Sequence, residues 1–112
     1  MLTMSSRYLQ LESAAHRGTG GVSAENRDLG FVPAFLDTDT GIIYPSTFAD
    51  GRPAPIHVLD GFPDEVVLAR DLRGRVARVV GSIIAGFLRE SRFYTRDEAA
   101  KLVAAQRSSV AA

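Results

Sequence analysis

The side chains able to do covalent or acid–base chemistry are few and scattered. There is no cysteine, so a thiol nucleophile, a disulfide framework and Cys-ligated zinc are excluded. His16 and His57 are the only histidines; His16 sits in a glycine-rich stretch and His57 stands between Ile56 and Val58. A zinc site or a general base needs partner groups, and neither residue has a second histidine at ligand spacing. The simpler reading of His57 is a half-buried histidine whose hydrogen bonds serve the fold. Ser46, Ser82 and Ser91 lack the G-x-S-x-G elbow that presents a serine nucleophile. Gly18-Thr19-Gly20-Gly21 lacks the lysine and the preceding strand of a phosphate loop, and reads as a flexible joint.

Asp39-Thr40-Gly41 has the spelling of the D-T-G in retropepsin-like aspartic proteases. Those enzymes bring together one carboxylate from each of two subunits, and the shared proton lets the pair activate water. A length of 112 residues suits half of such a dimer. The surroundings do not: Asp37-Thr38 stand where that family has two apolar residues, and Ile42 stands where it has Ala or Ser. A hydrolase at Asp39 is therefore an outlying alternative to a hairpin turn, for which Asp, Thr and Gly are suited on backbone grounds. Asp37-x-Asp39-x-Gly41 also opens like a calcium loop, but Gly41 and Phe48 occupy positions that must carry oxygen ligands. No metal and no cofactor is expected.

Charge is the feature with the widest reach. The chain is formally neutral, yet residues 28–65 carry a net −6 and residues 70–96 a net +5. Twelve of the thirteen basic residues are arginine, which pairs in a fork with carboxylates and phosphates and stacks on aromatic faces. Charge sorted in this way can steer a partner where net charge cannot. The candidate partner-binding residues are Arg73, Arg75, Arg78, Arg89 and Arg92 on one side, and Asp37, Asp39 and Asp50 on the other. An arginine-rich hairpin face with Phe87, Phe93 and Tyr94 nearby is also a nucleic-acid surface in outline. The balanced total charge argues against that alternative.

The elements that must carry these residues are legible in the apolar spacing. Met4, Tyr8, Leu11 and Ala15 fall at helical intervals, so residues 1–29 read as a mobile tail or short helix followed by a glycine-rich linker. Residues 30–107 read as one domain. Within it, residues 31–36 and 42–44 flank a turn closed by Gly41, with Pro33 marking an edge strand or a late start. Residues 56–59 suggest a short strand. Residues 65–70 and 75–80 flank Asp71-Leu72-Arg73-Gly74, and residues 82–88 and 93–94 flank a third turn. Thr95-Arg96-Asp97-Glu98 is a capping box, predicting a helix from about Arg96 to Gln106 with a frayed end over 108–112. Hairpins followed by one helix imply an α+β fold, a small antiparallel sheet with the helix on a face or edge.

No apolar run is long enough for a bilayer span, and residues 1–16 do not read as a signal peptide, which with the missing cysteines leads us to expect a cytoplasmic protein without membrane contact. The segments Phe48-Ala49-Asp50-Gly51-Arg52-Pro53-Ala54-Pro55, His57-Val58-Leu59-Asp60-Gly61 and Phe93-Tyr94-Thr95-Arg96 resemble a group of small uncharacterised proteobacterial proteins of plasmids and integrated elements. The resemblance implies no activity; it implies an accessory protein of a mobile element. The expectation is a non-enzymatic module that docks a protein partner, such as a host complex it inhibits, or a second copy of itself as a dimer.

Overall fold

Short runs of β-branched and aromatic residues separated by glycine turns cannot sustain long strands, and they pair as hairpins. The computed structural model describes residues 4–111. In chain order these form β1 (Met4–Ser5), α1 (Ser6–Ala15), α2 (Ser23–Asn26), β2 (Val32–Asp37), β3 (Ile43–Pro45), β4 (Val67–Arg70), β5 (Val76–Val79), β6 (Ile83–Arg89), β7 (Arg92–Thr95) and α3 (Arg96–Ala111). The strands make two antiparallel sheets, ordered β1-β5-β4 and β3-β2-β6-β7. The α+β class stands, with two sheets where one was expected. Among the described residues no helix is long and apolar enough to cross a membrane.

The three predicted hairpins are present as β2–β3, β4–β5 and β6–β7. Pro33 is not on an edge: β2 lies between β3 and β6. It is tolerated because the ladder to β3 ends there, with Pro33 O accepting from Ser46 N at 2.9 Å. The Ser46 carbonyl that would face a Pro33 N–H instead accepts from Ala54 N at 3.0 Å. Residues 56–59 form no strand. They run as a loop whose backbone bonds to a side chain, with Val58 N donating to Ser46 Oγ at 2.9 Å and Ser46 Oγ donating to Ile56 O at 2.9 Å.

Of the two readings of the N-terminal segment, tail or short helix, the helix is present as α1, and the glycine-rich stretch after it is packed against the domain where a linker was expected. Met4 pairs with Val79, and Met4 and Leu9 are buried in the main core with Phe35, Phe62, Val79 and Ile83. Ser5 caps α1 by accepting from Tyr8 N at 3.0 Å. The glycine-rich stretch is held by one carboxylate, since Glu25 accepts from Gly18 N at 2.6 Å and Gly20 N at 3.0 Å. Gly20 has a φ of 91°, and a Cβ there would sit 2.7 Å from Val103 Cβ on α3. Glycine is thus required for both conformation and contact, which is a close-packing role and not a flexible one.

The capping box forms as predicted: Glu98 N donates to Thr95 Oγ1 at 3.1 Å and Thr95 N to Glu98 Oε1 at 2.9 Å. That N–H and the nearby cations hold the Glu98 carboxyl below its usual range. α3 packs on β6 and β7, burying Ala99 and Val103 one turn apart. Its backbone stays helical to Ala111, past the predicted frayed end at Ser108-Ser109; Ala112 lies outside the described residues. Phe31, Phe87 and Ala99 form a second core cluster under this helix. Phe35 and Phe87, the central rings of the two clusters, are fully buried, each contributing roughly 2–3 kcal/mol.

Candidate functional site

Arg96 is the first residue of α3, and its side chain turns inward to only 3% exposure. Such burial of a guanidinium requires every donor to be met. Arg96 Nε donates to Glu12 Oε1 at 2.9 Å, Nη1 to Gly21 O at 2.8 Å and Nη2 to Ser13 Oγ at 2.7 Å. Nη2 also lies 3.3 Å from His57 Nδ1. The cation stands over the Phe87 ring at 5.9 Å. One side chain therefore joins α1, the glycine-rich stretch, the 56–59 loop and α3.

His57 lies between the two core clusters, with its ring edge-on to Phe35 at 5.3 Å and to Phe87 at 5.2 Å. Its Nε2 is 2.6 Å from Gly86 O. Burial, reinforced by the Arg96 cation, pushes its pKa down to about 4. The imidazole is neutral, and both nitrogens are engaged. His16 has a parallel role at the surface: Nδ1 lies 2.9 Å from Glu12 O and Nε2 3.2 Å from Asp97 Oδ1, linking the end of α1 to the first turn of α3.

Beside this frame runs a cleft of about 640 Å³. Gln10 and Ser13 of α1, three positions apart on one helix face, and Arg17 just beyond its C-terminal end line one wall. Ile56, Val58, Asp60 and Arg75 line the other. The floor is apolar where Leu9, Leu59 and Val76 are buried, and Ile56 at the rim is 55% exposed.

The candidate arginines do not form one face. Arg73, Arg75 and Arg78 belong to the three-stranded sheet and its turn, Arg89 and Arg92 to the four-stranded sheet. Arg75 Nη2 is 3.1 Å from Asp60 Oδ2, and this pairing raises its pKa further. Arg73 and Arg78 are exposed. Arg89 and Arg92 face each other across β6–β7, and each covers an aromatic ring, Phe31 at 5.1 Å and Tyr94 at 5.0 Å. The acidic candidates are similarly dispersed. Asp37 is buried at 4% exposure and its Oδ1 accepts from Asp39 N at 2.9 Å, which holds its carboxyl below the usual range. Asp39 is exposed on the β2–β3 turn. Asp50 pairs with Arg52 at 2.6 Å. The acidic and basic blocks meet directly at Asp60–Arg75 and Asp64–Arg70, so part of the sorted charge is neutralised inside the fold. Among the described residues no cluster of three or more His, Asp or Glu is gathered to hold a metal ion.

From the sequence Arg96 is a member of the basic block and the start of the final helix, with no buried role assigned to its side chain. Its partners Glu12, Ser13 and Gly21 lie 75 to 84 positions away, and no local pattern encodes contacts at that separation. The one available signal was an arginine directly after a capping threonine, where the first helical turn abuts the body of the domain. Comparison with protein-family models, curated proteins and solved structures found no match to this chain.

Proposed function

We propose that the chain is a non-enzymatic binding module that takes a protein partner in the cleft beside α1. The observation that carries this reading is the composition of the cleft. Its floor is apolar, and Arg17, Asp60 and Arg75 stand around it. An apolar centre with a charged rim is the anatomy of a protein-docking surface. His57 and Arg96 at its inner end supply framework, with their polar atoms already bonded within the chain. The accessory role that the resemblance adds, binding a host complex on behalf of a mobile element, is one version of this reading.

Affinity capture from the native host, run in parallel with wild type and Ile56→Asp, tests the reading. A partner retained by wild type and lost by the variant is the expected result. The same set of proteins on both baits, with the variant folded by circular dichroism, removes the cleft from consideration.

A further inference from the structure

Leu72 is 106% exposed at the tip of the β4–β5 turn, which leaves a whole leucine side chain in water. The turn that presents it is well made. Asp71 Oδ1 accepts from Arg73 N at 2.9 Å and Arg75 N at 3.0 Å, and Gly74 N donates to Asp71 O at 3.0 Å. Asp71 Oδ2 makes no hydrogen bond among the described residues, and the Arg73 guanidinium pairs with no carboxylate among them. The same turn contributes Asp71 and Arg75 to the lining of the cleft. An apolar knob and an apolar-floored hole thus share one surface, with both signs of charge at their junction.

We propose that the occupant of the cleft is a second copy of this chain. Two copies dock about a two-fold axis, each placing Leu72 against Leu9, Ile56 and Val76 of the other and Arg73 against the other's Asp71. A two-fold interface must carry both complementary parts on one patch, and the adjacency of knob and hole meets that condition. Asp71 itself lines the cleft, so a Leu72 entering the other copy's cleft carries its neighbour Arg73 toward the Asp71 at that cleft's edge. A hollow of about 640 Å³ admits the hairpin tip and not merely one side chain. This inference rests on the cleft being the binding site and names the partner that fills it.

The absence of native cysteine makes the test direct. Single-cysteine variants L72C and I56C, mixed and oxidised, cross-link only between copies. They are expected to form a disulfide heterodimer that the pair L72C and L102C, with Leu102 on α3, does not form. Sedimentation of wild type should show a species of twice the 12.1 kDa chain mass. Leu72→Asp should sediment as a monomer and keep the wild-type circular dichroism spectrum, because Leu72 is wholly exposed within its own chain; its melting temperature should equal that of wild type diluted to monomer. A wild-type monomer up to millimolar concentration, a dimer indifferent to Leu72→Asp, or cross-linking equal to the control pair overturns the proposal. A monomeric wild type that still captures a partner sensitive to Ile56→Asp overturns self-docking alone and leaves the binding module in place.

Discussion

Arg96 Nη2 lies 3.3 Å from His57 Nδ1, while the opposite ring nitrogen, Nε2, lies 2.6 Å from Gly86 O. A carbonyl only accepts, so Nε2 carries the ring proton and the Nδ1 lone pair accepts from the guanidinium. The contact therefore fixes both the tautomer and the charge of the histidine. It also makes a neutral imidazole part of the joint between the first turn of α3 and the core.

Stability should fall as pH drops through this histidine's window. Its folded pKa is about 4, against an ordinary value of 6.5. Between those values the unfolded chain binds a proton that the folded chain refuses, so unfolding free energy rises with pH there and is flat in this group above it. The loss should approach about 3 kcal/mol below the folded pKa. Urea unfolding from about pH 4 to 7, compared with His57→Gln, isolates the effect; superimposable pH profiles for the two proteins would contradict it.

Glu12→Ala should be among the costliest substitutions on a partly exposed residue. It leaves the Arg96 cation, 3% exposed, without its carboxylate. Breaking a buried ion pair from one side costs about 3–5 kcal/mol. Glu12→Gln keeps an acceptor and should lose less. Chemical denaturation ranks the two variants, and amide exchange should show α1 opening ahead of the sheets in Glu12→Ala.

The β6–β7 turn should be improvable. Glu90 and Ser91 have φ values of 52° and 67°, the left-handed pair that a two-residue hairpin loop requires. Neither residue is suited to it. Replacing them by Asn-Gly should stabilise the protein by about 1 kcal/mol, a rise in melting temperature of roughly 5 °C. A melting temperature equal to wild type or lower would contradict this account of the turn.

Gly86 is constrained by contact and not by conformation. A Cβ there would collide with Tyr94 O and the Phe93 ring, and Gly86 O is the acceptor for His57. Gly86→Ala should cost about 2–3 kcal/mol. Gly30→Ala, with φ at 86° but open space around it, should cost about 1 kcal/mol. Denaturant midpoints of the two variants check the order.

Much of the fold was legible because it is local. The turns at Gly41 and Gly74, the Thr95–Glu98 capping box and the strand pairs they connect depend on residues within a few positions of one another. The failures were non-local. Pro33 looked like an edge residue because nothing nearby shows that Ala54 occupies the Ser46 carbonyl. Gly20 looked flexible because Val103, which packs against it, comes 83 residues later. The loop at 56–59 has strand-like composition, but its hydrogen bonds go to the Ser46 hydroxyl.

The sequence by itself determined the α+β class, the hairpins, the final helix and the segregation of charge, all properties of composition and short-range pattern. Only the tertiary structure decided what the charges do. Folding brings Asp60 to Arg75, Asp64 to Arg70 and Glu12 to Arg96, while leaving Leu72 and Arg73 in water beside a cleft. The reason is that an ion pair or a cleft depends on distance in space, and packing two sheets and a helix around shared cores sets those distances between residues that the linear pattern never relates.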